Sequence, residues 1–512
     1  MFTKLKRICA VLAAALTLVA AAPAREKPKL LLVVMVDQFR YDYLLRFRSE
    51  YKEGFERLLT QGAVFTNARY IHFPTVTAIG HSTILTGATP ALSGIVGNDW
   101  FDRESGKTVT SVSDDSTKTL GGSGGAGASP HRLLVSTLGD EMKIANGHTR
   151  VVGISLKDRS AILPAGHMAD GAFWFDQKTG QFVSSTYYFQ ALPNWVSEYN
   201  ATHPADRYKG ATWLGHKYPD QPGEKLYAAL HESPFGNELI EGLAEHAIDA
   251  EKLGQRDATD VLAVSFSSND YVGHALGPDS PEVHDVSVRT DRVLGRLFQF
   301  IDQRVGMQKV LVVMSSDHGV APVAEVNQAR KMPGGRMPPK IVRETVEAAL
   351  IKKYGAGDWI SSPSEHSLYL NLDLIREKKL DRAEVDRAAA DAAIEIPHVF
   401  RVYTREQLIR GAVLDDQVSR RVMNGFYERR GADVYLLLEP YWMFGAHGTT
   451  HGTTFTYDSH VPVIFMGPWI KPGRYNEAIA VNDVAPTLAT LLGVETPSGS
   501  VGRALAEIFA PE

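Results

Sequence analysis

Asp270 and His274 stand four residues apart, so on a helical turn their side chains face the same way. Asp317-His318 sets a carboxylate beside an imidazole directly after an apolar run, and Asp37 closes another such run. His451 lies in Gly448-Thr449-Thr450-His451-Gly452, a loop with little apolar material to bury it. Singly these residues mean little, since an aspartate after a strand is more often a cap or turn former. Together, three aspartates and three histidines form a mixed oxygen and nitrogen donor set. That set favours zinc over magnesium or calcium, with manganese or cobalt as substitutes. Nearby, Thr75, Thr77, Ser82, Thr83 and Thr86 supply hydroxyls, each equally readable as a cap or a satisfied core group. Composition does not choose among them, and a hydroxyl becomes a nucleophile only once it is deprotonated.

These residues need elements to position them. Short apolar runs at Leu30–Val36, Val151–Leu156, Val261–Phe266, Val310–Met314 and Val461–Met466 read as buried parallel strands. Helical patterns lie between them, at Tyr51–Gln61, Arg132–Ala145, Asn237–Glu251, Ser287–Gln303 and Asp483–Leu492. This alternation predicts an α/β fold: a mostly parallel central sheet with helices on both faces. Ligands of such sheets bind beyond the carboxyl ends of the strands. Asp37, Lys157, Asn269-Asp270 and Ser316-Asp317-His318 all fall there.

Composition changes over residues 321–445, which reads as an inserted α+β cap. Its helices are expected at Lys340–Lys353, Arg382–Ile394 and Asp415–Arg430, and its strands at Ser367–Leu372, Phe400–Tyr403 and Val434–Leu438. The catalytic domain is then 25–320 with 446–512. Gly121–Gly127 reads as a mobile surface loop and matches no phosphate-cradling glycine spacing.

Lys4, Lys6 and Arg7 precede the apolar run Ile8–Ala21 and then Ala22-Pro23-Ala24, the pattern of a cleaved signal peptide over residues 1–24. The expectation is a periplasmic or secreted protein. The apolar run is shorter than the roughly 20 residues needed to span a bilayer, and no stable membrane insertion is expected. Cys9, the single cysteine, lies in this leader, so the mature chain of about 488 residues would carry neither disulfide nor thiol nucleophile. Losing the leader's three cations takes the net charge from −5 to about −8, which disfavours nucleic-acid binding. Nothing in the sequence points to a protein partner.

The segments Val34-Met35-Val36-Asp37, Phe73-Pro74-Thr75-Val76-Thr77, Ser155-Leu156-Lys157-Asp158-Arg159, Asp270-Tyr271-Val272-Gly273-His274, Ser316-Asp317-His318-Gly319 and Thr450-His451-Gly452 occur in that order. With Asp483-Val484-Ala485-Pro486-Thr487-Leu488 as a C-terminal helix start, they resemble the alkaline phosphatase superfamily across essentially the whole catalytic domain. The likeness is nearest to the threonine-nucleophile bacterial branch, the PafA-like alkaline phosphatases. It implies an alkaline phosphatase-like fold and two zinc ions per chain. Asp37, Thr77, Asp317 and His318 would hold one zinc, and Asp270, His274 and His451 the other. It also selects Thr77 as the nucleophile, and Asn98, Lys157 and Arg159 as contacts to the phosphoryl oxygens. If the strand continues through them, Lys157 and Arg159 face the same way. With that ligand set complete, His81 and His447 are not needed as ligands, and His284 belongs to an exposed helix start.

The implied site has a definite charge. Two Zn²⁺ ions are cancelled by Asp37, Asp270, Asp317 and an ionised Thr77. Lys157 and Arg159 then match the dianion of a phosphate monoester, whereas a diester carries a single charge. The implied activity is hydrolysis of a broad range of small phosphate monoesters through a phosphothreonine, with inorganic phosphate inhibiting as product. A phosphodiesterase or nucleotide pyrophosphatase of the same superfamily is the main rival, and a non-catalytic periplasmic phosphate-binding protein is a second. A sulfatase would need a C/S-x-P-x-R segment where Thr77-Ala78-Ile79-Gly80-His81 stands.

Overall fold

The computed structural model of the chain describes residues 26–338, 340–364 and 366–510. The leader over 1–24 lies outside the described residues, and no described helix is long and apolar enough to cross a membrane.

The elements that carry the site are, in chain order, β1 (Leu30–Val36), β2 (Ala63–Arg69), α1 (Thr77–Thr86), β3 (Val151–Ser155), α2 (Asp158–Ala165), β4 (Asp260–Phe266), α3 (Ser268–Leu276), β5 (Val310–Ser315) and β6 (His460–Met466). They belong to a 12-stranded sheet in which β2, β6, β5, β1, β4 and β3 lie side by side in that order. β1 is parallel to both β4 and β5, and β3 is parallel to β4. The apolar run at Val461–Met466, expected to be parallel, is instead antiparallel to β5 and to β2. Its side chains are buried on both faces, so the run lacks alternation whichever way the strand points.

Helices cover both faces because β1 feeds two cores. Leu30, Leu32, Val34 and Val36 pack with Leu239 and Leu243 of Pro234–Ala250 and with Val293 and Leu297 of Pro281–Arg304. Leu31, Val33 and Met35 pack with Ile84 and Leu85 of α1 and with Leu488 of Val484–Leu492. Fully burying each such side chain contributes roughly 1.5–3 kcal/mol.

The helix expected at Arg132–Ala145 starts only at Leu138. Thr137 forms a capping box with Asp140 there, and Pro130 opens the irregular stretch before it. Gly121–Gly127 is the turn and return of a hairpin joining Ser113–Leu120 to Ala126–Ala128, with Gly121, Gly122, Gly124 and Gly125 at positive φ.

Within 321–445, Ile360–Ser364, Ser367–Leu370, Val434–Leu438 and Val399–Thr404 form a separate four-stranded antiparallel sheet, in that order. Helices Ile341–Tyr354 and Arg382–Ile394 pack on it through Val346, Leu350, Val385 and Ala389. The helix expected over Asp415–Arg430 spans only Gln417–Gly425. Asp416 caps its start, accepting from Ser419 N at 2.9 Å. At its end Gly425 lies so close to Phe73 O that a Cβ there would overlap it.

Candidate metal centre and active site

Strand ends deliver most of the site. Asp37 follows β1, Lys157 follows β3, Asp270 lies in the first turn of α3 after β4, and Asp317-His318 follow β5. β6 explains His451. Because it runs antiparallel, with Val463 opposite Ser315, its beginning lies beside the end of β5. The loop that precedes it therefore arrives at the same edge.

Thr77 is the first residue of α1, and every residue of that helix is buried. The helix lies against the Asp317 backbone, and a Cβ on Gly80 would sit 2.3 Å from Asp317 O. Only glycine fits this approach, which ties the threonine to its neighbours. A Gly80→Ala protein should lose about 1–3 kcal/mol of stability and bind zinc more weakly. Urea unfolding and zinc titration check this, and unchanged values in both would contradict it.

The seven predicted ligands are gathered in one place. His318 Nε2 lies 3.4 Å from Thr77 Oγ1, 3.4 Å from Asp317 Oδ2 and 3.6 Å from Asp37 Oδ1. A second group adjoins: His274 Nε2 and His451 Nε2 are 3.2 Å apart, with Asp270 Oδ1 at 3.2 and 3.8 Å from them. Donor atoms of Asp37, Asp270 and His318 also fall within 4.8 Å of one another, so Asp270 lies where the two groups meet.

These residues suit a bound cation. His274, His318 and His451 each donate Nδ1–H to a backbone carbonyl, of Thr449, Gly319 and Thr75, at 2.8–2.9 Å. That bond leaves each Nε2 lone pair facing the site, the tautomer a metal ligand needs. Among the described residues, Asp37 Oδ1 and Asp317 Oδ2 are buried without a hydrogen-bond partner. Three buried carboxylates meet one buried ammonium, Lys157, an excess of negative charge that is expensive away from water.

The same crowding sets the proton affinities. Burial, with Asp270 and Asp317 alongside, pushes Asp37 well above the usual carboxylate range. Burial opposes ionisation of Asp270 too, yet Lys157 and His274 hold it well below that range. Asp317 is likewise held down, against its burial, by His318 and His81. Burial, with His318 and His274 nearby, keeps His451 far below the ordinary imidazole value, so it is neutral at neutral pH.

The predicted phosphate contacts fall into three situations. Asn98 Oδ1 accepts from Ala78 N at 2.8 Å, which places this amide beside the start of α1 and takes up one of its free N–H groups. Lys157 Nζ donates to Asp37 Oδ2 and Asp270 Oδ2, both at 2.6 Å. Arg159 does not share a strand face with Lys157, because β3 stops at Ser155 and Arg159 enters the first turn of α2. Its Nε is buried without a hydrogen-bond partner among the described residues.

His81 is fully buried, with Nδ1 2.9 Å from Thr77 O and 3.3 Å from Asp317 Oδ2, and so lies behind Thr77 and Asp317. His447 is exposed, and His284 pairs with Glu50 at the surface. Sequence reasoning missed Gln38. Its N–H donates to Asp317 Oδ1 at 3.0 Å and its Nε2 to Asp270 Oδ1 at 2.8 Å, from a left-handed backbone at φ 59°. Such strain in a non-glycine residue marks a constrained site. The available signal was an amide directly after Asp37, with Gly273 leaving room for it: a Cβ there would lie 1.9 Å from Gln38 Oε1.

A cavity of about 570 Å³ opens beside His274, His451 and Asn98, and His366, Ser367 and Tyr369 line its other wall.

Residues 31–460 match the family described as Type I phosphodiesterase / nucleotide pyrophosphatase. The alkaline phosphatase PafA of Elizabethkingia meningoseptica is 37% identical over 94% of this chain and 95% of its own. The alkaline phosphatase PhoV of Synechococcus elongatus is 37% identical over 94% of this chain and 93% of its own. The crystal structure of wild-type PafA superposes with a TM-score of 0.89, covering 96% of this chain and 100% of that one, at 35% identity.

Proposed function

This chain belongs to the Type I phosphodiesterase / nucleotide pyrophosphatase family within the alkaline phosphatase superfamily, and from that premise we propose that it is an alkaline phosphatase that hydrolyses phosphate monoesters. The observation that carries this reading is the convergence of Thr77, Asp37, Asp317 and His318 beside Asp270, His274 and His451. We assign the first four to one zinc ion and the last three to a second. Zinc held there would supply positive charge to the phosphoryl oxygens and lower the pKa of the Thr77 hydroxyl.

Thr77 Oγ1 attacks phosphorus in line with the leaving oxygen. The Oγ1–phosphorus bond forms as the bond to that oxygen breaks; Oγ1 gives up its proton to solvent, and the departing oxygen takes one up and leaves as an alcohol. Water then cleaves the phosphothreonine, restoring Thr77 and releasing inorganic phosphate. The N-terminus of α1 points its partial positive charge towards the site. Asn98, Lys157 and Arg159 hold the equatorial oxygens, whose charge must be stabilised throughout. Lys157 is already at the centre, and cations sharing Asp37 and Asp270 would release it to the phosphoryl group. Residues 321–445 serve as a cap on the leaving-group side, since His366, Ser367 and Tyr369 line the cleft. The leader composition supports export to the periplasm or beyond.

Two assays test this reading. On p-nitrophenyl phosphate and bis-p-nitrophenyl phosphate, the monoester should react much faster; a large diester preference would defeat the assignment. Exhaustive chelation should abolish turnover and lower the melting temperature, with both returning on zinc addition. Full activity in protein shown to be metal-free would contradict the ligand assignment.

A further inference from the structure

We propose that Arg103 is a positioning residue for phosphate binding: it clamps the tip of a surface hairpin to the inserted segment and so fixes Asn98, at the hairpin base, against the nucleophile helix. The proposal rests on the reading of Asn98 as a phosphoryl contact.

The hairpin consists of Asp99–Asp102 paired with Lys107–Thr110. Asn98 O accepts from Ser111 N at 2.9 Å and closes its base, while Asn98 Oδ1 accepts from Ala78 N one residue beyond Thr77. These two strands form a sheet of their own, unconnected to the central one. A lone two-stranded hairpin is marginal in water, so its placement must come from contacts elsewhere.

Residues 369–433 supply the contacts at its tip. Arg103, in the turn, donates to Asp433 Oδ2 at 2.6 Å and to Leu370 O at 3.4 Å. Its guanidinium lies 5.1 Å over the Tyr369 ring, and Phe101 meets the same ring edge-on at 5.7 Å. From the other side Arg430 donates to Arg132 O at 2.7 Å and lies 5.1 Å over the Trp100 ring. Asp433 is fully buried, so an ion pair here resists screening by solvent. Asp433 also accepts from Arg382 and from Leu370 N. Losing Arg103 therefore leaves no stranded buried charge, the usual cause of collapse when one partner of a buried pair is removed.

The test uses zinc-loaded enzyme with metal content verified for each variant. Arg103→Ala should lower kcat/KM for p-nitrophenyl phosphate, and weaken inhibition by inorganic phosphate, by about 10-fold. Arg103→Lys should recover part of the loss, because it keeps the charge but not the guanidinium fork. In an Asn98→Ala background, Arg103→Ala should cost less than about 2-fold, since the group it positions is gone. A single Arg103→Ala within about 2-fold of the parent in both readouts overturns the clamp, as does an undiminished loss in the Asn98→Ala background. Parental kinetics in Asn98→Ala alone would overturn the reading of Asn98 and the clamp with it. Should Arg103→Ala fail to fold, Arg103→Gln, which removes the charge but keeps a polar side chain with an N–H donor, is read in the same way.

Discussion

Thr77→Ala enzyme will retain its zinc and bind inorganic phosphate, yet turn over phosphate monoesters about 10³- to 10⁵-fold more slowly than its parent. Thr77 supplies one donor of four in the first group, and Asp37, Asp317 and His318 remain without it. The loss therefore falls on kcat. On the proposed mechanism the variant lacks its phosphoryl acceptor but keeps the charge that binds phosphate. Acid quenching of the parent with radiolabelled substrate should trap label on Thr77, and the variant should trap none. Near-parental turnover in the variant would place the nucleophile elsewhere.

Replacing Lys157 and Arg159 together by alanine will cost about 10³-fold or more in kcat/KM for a monoester, and roughly ten times or less for a diester. A charge-assisted hydrogen bond is worth about 1.5–3 kcal/mol, and two of them lose their second negative partner when the substrate is a diester. The buried surroundings of Lys157 sharpen the contrast, because charge matching counts for more away from water. Lys157 needs a control. It also neutralises Asp37 and Asp270, so its removal raises the negative excess at the proposed metal donors. Zinc content of the double variant must be verified before rates are compared. Equal losses on both substrates in fully loaded enzyme would remove the charge-matching basis for monoester preference.

The sequence reveals this site where chemistry and local order coincide. Apolar runs fix where β1, β4 and β5 end, and an aspartate after each is visible at once. The four-residue spacing of Asp270 and His274 survives because α3 makes it a shared helix face. His451 was findable by type, but its arrival depends on β6 being antiparallel, which a strand buried on both faces does not encode. Thr77 could not be chosen from its neighbouring hydroxyls by composition. What distinguishes it is its place at the start of α1 and the approach that Gly80 permits, both tertiary properties. Lys157 and Arg159 illustrate the same limit. Extending β3 by alternation put them on one face, but the chain turns into α2 at Asp158, and helical geometry replaces the two-residue period. Gln38 escaped because its contribution comes from a strained backbone rather than from its residue type. The hairpin carrying Asn98 is short and half exposed, with too little apolar alternation to announce itself.

In the proposed site two cations sit side by side, with Thr77 at one of them. Anomalous diffraction at the zinc absorption edge, from crystals of the enzyme grown with zinc and phosphate, measures it directly. Two peaks are predicted, one among Asp37, Thr77, Asp317 and His318 and the other among Asp270, His274 and His451, with phosphate between them. A single peak, or two peaks lying away from these residues, would rule out the paired-cation site.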